Sequence, residues 1–439
     1  MNYSSSELLE CCRRVSCKIN ENISSLEDLK RIGTRQGQYF LDIIADNVGL
    51  EIFDEYNIGV LSEESGVTKS DSDYVAILDP VDGSTNASNK IPLFCTSILI
   101  LFKNIPVFGF IAGHRFDFEL YGSNDFGVYL NGDKVDDLPQ NQLSETVVSF
   151  SGYPMEWGGW KQSRSLGSAA LEIAFVATGS LGAYFDASLD GLAIWDYGAG
   201  IFIAGLLGCS VKELMGRDLN VYDFNCRRHP IVGINSEIAD DLMNRLQKTR
   251  AAQRDAEILR LLKTRIKITQ SDTELKTAWK ICDAIESGEQ IFSAEGSNLH
   301  LTGSAIIVSD KGVLLHEHLK LKTWVQPGGH LDFLETPYDA AKREALEETG
   351  LEMIDLSPDP ILLNVAEVAG PDGHCHLDMR FLFSTAGGQP SPAIGESQKV
   401  EWFSYDKALT TIDNSNTDAL IAAKHYLEAN LQNITLKAL

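Results

Sequence analysis

The apolar positions change period along the chain, and those changes divide it. Up to about residue 56, Leu26, Leu29 and Ile32, and then Phe40, Leu41, Ile44 and Val48, recur at helical spacing and predict helices. From Gly59 the pattern turns to short β-rich runs: Val60-Leu61, Tyr74 to Leu78, Ser97 to Phe102 and Val107 to Ala112. Carboxylates follow the first two of these. Residues 165 to 210 predict a small-residue helix from Gly167 to Glu172, a strand around Ala183-Tyr184-Phe185 and a helix opening after Trp195-Asp196. Ser236 to about Gly288 is rich in Lys, Arg, Gln, Glu and Leu, which predicts two or three amphipathic helices. After Thr302 strands return at Ala305 to Val308, Gly312 to Leu315, Arg380 to Phe383 and Val400 to Phe403, with a helix from Pro337 to Thr349 among them.

A chain of 439 residues is too long for one hydrophobic core, so the pattern reads as two domains and a helical connector. The formal charge of -25 argues against sequence-independent binding to nucleic acid or to anionic lipid. Eight cysteines without a Cys-x-x-Cys pair read as free, buried thiols of a reducing compartment. The start of the chain lacks a leader pattern and no run approaches the ~20 apolar residues of a spanning helix, so the expectation is a cytoplasmic protein that does not engage membranes.

The most specific chemistry runs from Gly329 through Glu335 to Arg343-Glu344-Ala345-Leu346-Glu347-Glu348-Thr349-Gly350-Leu351. Thr336 can cap a helix whose first residue is Pro337, and Gly350 supplies a left-handed stop. Glu344, Glu347 and Glu348 then stand at i, i+3 and i+4 on one face, a crowding that is unfavourable without a cation. The segment resembles the Nudix box at every defined position. That resemblance implies an α/β/α sandwich over 296–439, with the connector 241–295 as its helical lead-in. It also implies Mg²⁺, with Mn²⁺ as a substitute, on Glu344, Glu347, Glu348 and the Gly328 carbonyl, with Arg343 orienting a carboxylate and Glu347 sharing the catalytic role. Glu367, Asp378, Glu396 and Glu401 stay open as general base. His374-Cys375-His376 lacks a spaced fourth ligand and makes a poor zinc site. His376 to Phe381 reads as substrate contact or strand packing, and His316 and His318 as solvent-facing.

Earlier in the chain, Asp79-Pro80-Val81-Asp82-Gly83-Ser84-Thr85-Asn86 follows a buried strand that the proline ends. Two carboxylates three residues apart, with the Val81 carbonyl between them, can share cations while the Gly83 and Ser84 amides open a helix toward phosphate. Leu61-Ser62-Glu63-Glu64-Ser65 precedes this motif and Trp195-Asp196-Tyr197-Gly198-Ala199-Gly200 follows it. In that order the three resemble the inositol monophosphatase family, which implies an αβαβα layered sandwich over 1–240. By the same likeness Glu63, Asp79, Val81, Asp82 and Asp196 hold Mg²⁺, Asp42 with Ser84 activates water, and Gly83, Ser84, Gly167, Ser168, Ala169 and Asp186 contact substrate. The early helix departs from the family pattern, with Tyr39 or Phe40 where a threonine is usual.

Together the two resemblances imply a bifunctional metal-dependent hydrolase: a phosphomonoesterase on a small sugar, cyclitol or nucleotide phosphate, and a pyrophosphohydrolase on a nucleoside-diphosphate-linked compound. The alternative keeps catalysis in the Nudix domain and makes the phosphatase-like domain a sensor of a phosphorylated ligand. The expected partners are small phosphorylated metabolites and nucleotide-linked substrates, and a homodimer stays open.

Overall fold

The computed structural model describes residues 3–430 apart from 36–37, 70, 137, 140, 155–156, 189, 294–297, 321, 370–373 and 413. Two compact units follow one another, Met1–Thr249 and Arg250–Leu439.

In the first unit, strand Cys95–Phe102 shows how layers arise from a period of two. Ile98 and Ile100 point into one core and Leu99 and Leu101 into another, so the sheet is buried on both faces. The eight-stranded sheet runs, edge to edge, Gly66–Thr68, Gly59–Ser62, Tyr74–Asp82, Cys95–Phe102, Ile105–Gly113, Glu119–Ser123, Gly127–Leu130 and Asp133–Lys134. Helices Ser5–Ser25 and Phe40–Glu55 cover one face through Leu8, Val15, Ile19, Leu41 and Phe53. Helices Ala169–Ala177 and Ile194–Leu206 cover the other and separate it from a five-stranded sheet, Gln162–Arg164, Val147–Gly152, Ala183–Ala187, Pro230–Gly233 and Ser210–Glu213. Ile238 and Leu242 of helix Ser236–Ile266 add to that core, which completes an αβαβα sandwich.

Leu26, Leu29 and Ile32 do not continue the first helix, contrary to their spacing. Leu26 is extended, with its N–H on Ile23 O, and Ile32 is 76% exposed and bridges Tyr39. The proline does not end its strand either. Tyr74–Asp82 runs through Pro80, with the pairing to Cys95–Phe102 shifting register between Asp79 and Asp82, an irregularity that tolerates a residue without an N–H.

The second unit is a seven-stranded sheet between helices. On one side Ile258 and Leu262 of Ser236–Ile266, Ile281 of Asp272–Ser287 and Ala341 and Ala345 of Pro337–Thr349 pack on Leu301, Ala305 and Phe381. On the other, Ala419, Leu420 and Ala423 of Asn414–Asn430 pack on Ile306, Val308 and Leu382. Strand Leu299–Ser309 is central, parallel to Cys375–Ser384 and antiparallel to Gly312–Glu317 and Gly328–His330. All eight cysteines are free, but Cys17 is exposed and Cys226 and Cys375 are half-buried, so the expectation of buried thiols holds for five. No helix among the described residues is long and apolar enough to cross a membrane.

Candidate active sites

The register shift that carries Tyr74–Asp82 past Pro80 brings Asp79 and Asp82 to one end of the large sheet. Asp196 arrives from the first turn of Ile194–Leu206, where its Oδ2 accepts from Ala193 N at 2.7 Å. One oxygen from each of Asp79, Asp82 and Asp196 lies within 4.8 Å of the others. Backbone and hydroxyl donors hold the carboxylates: Asp79 Oδ1 accepts from Val81 N at 2.9 Å, and Asp82 Oδ2 from Ser168 Oγ at 2.7 Å and Ala170 N at 2.6 Å. Glu63 follows strand Gly59–Ser62 and is tied to the neighbouring strand by its N–H to Leu78 O at 3.3 Å.

These acids perturb one another. Burial, then Asp196 and Glu64, pushes Glu63 well above the usual carboxylate range, and burial, then Glu63 and Asp82, does the same to Asp79. Burial raises Asp82 to about 6 against the pull of its Ser168 and Ala170 hydrogen bonds. Burial and the charge of Asp82 raise Asp196 to about 7. A polyvalent cation would relieve this crowding, because it would replace lost hydration and offset mutual repulsion.

Helix Phe40–Glu55 carries two buried acids, Asp42 and Asp46, and it is Asp42 whose charge acts on the cluster. It is buried and raised to about 7, chiefly by desolvation. Its charge reaches Glu63 and Asp79. Its Oδ2 accepts from Tyr39 N at 2.8 Å, whereas its buried Oδ1 has no hydrogen-bond partner. Asp46 is instead spent on Ser62 Oγ at 2.5 Å.

Ser84 is the first residue of the short helix Ser84–Ser88, which Gly83 enters at φ +90°. A Cβ on Gly83 would sit 3.0 Å from Gly167 O and 3.1 Å from Leu93 O, so the turn and the 166–168 loop close on each other. Asn86 Nδ2 clasps them through Leu93 O at 2.7 Å and Leu166 O at 2.6 Å.

Of the residues expected to contact substrate beyond the turn, Gly167 is exposed, whereas Ser168, Ala169 and Asp186 are buried. Ser168 is buried on Asp82, and Ala169 is buried too. The Gly167 amide donates to Glu172 Oε1 at 3.0 Å. Asp186 is 1% exposed, its Oδ2 2.6 Å from His229 Nδ1 and accepting from Ser188 Oγ at 2.9 Å. Glu172 and His229 escaped the sequence reading. Glu172 is fully buried, raised to about 7 by desolvation, and its signal was a single charge in the apolar run Ala169–Ala177.

In the second unit the helix Pro337–Thr349 has the expected ends. Thr336 Oγ1 accepts from Asp339 N at 3.1 Å, and Gly350, at φ +68°, donates to Leu346 O at 2.7 Å. Arg343 organises the acids around it. Nε and Nη2 grip Glu335 at 3.0 and 2.9 Å, Nη1 reaches Glu344 Oε1 at 2.8 Å, and Nη2 also donates to His330 O at 2.8 Å. Gly329 lies so close to Glu344 that a Cβ there would be 2.3 Å from Oε1. Glu348 is buried, accepts from Gly328 N at 3.0 Å, and is raised to about 9 by burial and then by Glu344. Glu347 is exposed beside them.

A cavity of about 300 Å³ opens here, lined by Gly328, Gly329, His330, Glu348 and Glu396 among others. Of the four acids open as general base, Glu396 is the one on this cavity. Asp378 is buried and taken by Thr302, Ser304 and Arg380, Glu367 pairs with Lys280, and Glu401 is exposed on strand Val400–Phe403. His316 is not solvent-facing. It is 3% exposed, 3.5 Å from Glu348, and lowered to about 4 by burial and by His318, which is half-buried on the same cavity. Asp378 and Arg380 pack between strands, the second of the two readings for their segment.

The inositol monophosphatase family model matches residues 42–254 and the NUDIX domain model residues 299–423. The chain joins an inositol monophosphatase family domain to a NUDIX domain. The phosphatase-family domain is 29% identical over 248 residues to an Archaeoglobus fulgidus fructose-1,6-bisphosphatase/inositol-1-monophosphatase, covering 54% of this chain and 97% of that one. It is 32% identical over 200 residues to a Pyrococcus furiosus fructose-1,6-bisphosphatase, covering 45% and 78%. Among solved structures, a Pyrococcus horikoshii protein with similarities for inositol-1 monophosphatase aligns at 28% identity and a TM-score of 0.48, over 54% of this chain and 95% of that one. Both domains belong to hydrolase families.

Proposed function

We propose that the phosphatase-family domain hydrolyses a phosphomonoester of a small sugar, cyclitol or nucleotide, and that the NUDIX domain splits a nucleoside-diphosphate-linked compound. The convergence of Asp79, Asp82 and Asp196 oxygens within 4.8 Å carries the first half. Those three, with Glu63 and the Val81 carbonyl, would hold Mg²⁺. Glu344, Glu347, Glu348 and the Gly328 carbonyl would hold Mg²⁺ or Mn²⁺ in the second unit. Bound there, the ions would neutralise phosphate charge and acidify a coordinated water.

Asp42 takes the proton of the attacking water, in concert with Ser84, because its charge acts on Glu63 and Asp79 and its buried Oδ1 has no hydrogen-bond partner. Gly83 and Ser84 present amides to the phosphate at the turn. In the NUDIX domain Arg343 fixes Glu335 and Glu344 against the Gly329 loop, and Glu396, on the cavity wall, is the general base. The two reactions are chemically consecutive, since cleaving a diphosphate leaves phosphomonoesters. The named activities of the archaeal relatives favour a sugar or cyclitol phosphate for the first domain.

The test is phosphate release by the full chain from a panel of sugar, cyclitol and nucleotide monophosphates, alongside hydrolysis of nucleotide sugars, with Mg²⁺ and with chelator. Mg²⁺-dependent turnover of at least one member of each panel is expected. Tight binding of a phosphomonoester without turnover would replace the phosphatase reading by a sensor.

A further inference from the structure

Four histidines meet at one end of the NUDIX sheet, where strand register brings together residues far apart in sequence. His300 and His376 are register partners on the parallel strands Leu299–Ser309 and Cys375–Ser384, so their side chains leave the same face. His374, two residues before His376, shares that face. His330 ends Gly328–His330 opposite Thr302, and Thr302 is two residues from His300, which places the fourth imidazole there as well.

One nitrogen from each ring lies within 4.8 Å of the other three. His376 Nε2 is 2.8 Å from His374 Nε2 and 3.3 Å from His330 Nε2. Nitrogen ligands at ~2.0–2.1 Å from a tetrahedral ion stand about 3.3–3.4 Å apart, so the 2.8 and 3.3 Å separations need sub-ångström adjustments and a pair at the 4.8 Å limit about 1.5 Å. The donor set contains no carboxylate, because Asp378, the nearest acid along the strand, is committed to Thr302, Ser304 and Arg380. An all-imidazole set suits Zn²⁺, Ni²⁺, Co²⁺ or Cu²⁺ and is a poor host for Mg²⁺. His300 forms a buried floor, His374 and His376 are half-buried, and His330 is exposed, which leaves a way in. A pairwise N–H···N contact would explain one 2.8 Å approach but not the convergence of four rings.

We propose that His300, His330, His374 and His376 bind one transition-metal cation of the Zn²⁺ class through a ligand set distinct from the glutamates of the NUDIX helix, with His330, His374 and His376 on the same cavity as Glu348. The ion would clasp three strands. It would also brace the catalytic loop, since the His330 carbonyl accepts from Arg343 and Gly329 lies against Glu344.

The experiment uses the untagged full chain, stripped with chelator and titrated with Co²⁺ in excess Mg²⁺. One equivalent should bind with the intense visible absorption of tetrahedral nitrogen-ligated Co²⁺, and Zn²⁺ should displace it. His330→Ala and His374→Ala, made one at a time at the accessible side, should each weaken binding by about tenfold or more, as loss of even outer-shell partners does. Zn²⁺ should raise the unfolding temperature of the parent chain and not of these variants, while Glu347→Gln should bind Co²⁺ as the parent does. Failure to bind, unchanged binding in both histidine variants, or loss of binding in Glu347→Gln or on competition by Mg²⁺ would overturn the proposal.

Discussion

Replacing Asp42 by Asn should make the metal-free protein more stable at alkaline pH while removing its phosphatase activity, a pairing that a merely structural aspartate would not give. Burial raises Asp42 from the ordinary 3.8 to about 7. Three units at ~1.36 kcal/mol each mean that folding favours the protonated form by roughly 4 kcal/mol. Because the folded value lies above the unfolded one, that contribution is fully present below pH ~4 and is lost as pH rises through about 7. Asn stays neutral throughout and so escapes the loss. Its carbonyl can still accept from Tyr39 N, but its NH₂ would occupy the buried Oδ1 position that has no partner, at a cost of ~1–3 kcal/mol. The net gain is about 1–3 kcal/mol at pH 8 and vanishes by pH 5.

Calorimetry of both chains in chelator at the two pH values measures that difference. Phosphate release in Mg²⁺ should meanwhile fall by ~10²–10⁴-fold, the usual loss for a general base. An equal stability difference at pH 5 and pH 8 would refute the electrostatic reasoning. Turnover restored by excess Mg²⁺ would make Asp42 a metal-site residue, and undiminished turnover would turn attention to Asp46.

Glu347→Gln should abolish pyrophosphohydrolysis and leave phosphomonoester hydrolysis and the unfolding temperature unchanged, since Glu347 is exposed; retained nucleotide cleavage would defeat the NUDIX site assignment. Asp82→Asn should silence phosphate release and spare the NUDIX reaction, so a joint loss without unfolding would show that the two domains are coupled. Gly329→Ala should lower NUDIX turnover by about tenfold or more, because the new methyl falls 2.3 Å from Glu344 Oε1; normal turnover would mean the loop moves aside at no cost. At limiting Mg²⁺ the phosphatase rate should rise with pH through 6–7, where protons leave Asp82 and Asp196, and the NUDIX rate should go on rising toward 9 with Glu348, as titration of both activities across pH 5–9 will check.

What the sequence could show was what is local. Helix Pro337–Thr349 has both caps, its period and its three acids within one segment, and strand Val400–Phe403 likewise declares itself. Asp79 and Asp82 were readable because they share one short motif, and Asp196 because it sits in another. Leu26, Leu29 and Ile32 misled because helical spacing over seven residues is weak against an extended Leu26 and a bridge to Tyr39. The partner of Asp186 lies 43 residues away at His229, and His300 and His330 reach the His374 and His376 pair from two other strands. No local pattern links them, since strand register, which pairs residues across long separations, is decided by the sheet as a whole.

The two sites meet the same difficulty, acids crowded without enough water, in different ways. In the phosphatase-family domain the donors on Asp42, Asp79, Asp82 and Asp196 are Tyr39 N, Val81 N, Ser168 Oγ, Ala170 N and Ala193 N, all neutral. Dipoles fix where each carboxylate points but remove none of the net charge, so the acids push one another upward and cations held there would supply the balance. In the NUDIX domain Arg343 lies among the acids, bidentate on Glu335 and hydrogen-bonded to Glu344, so part of the charge is balanced within the protein. Glu348 is held instead by a glycine amide beside a His316 that burial keeps neutral. It is this acid, among those of the NUDIX helix, that rises to about 9, and a cation beside it would lower it again.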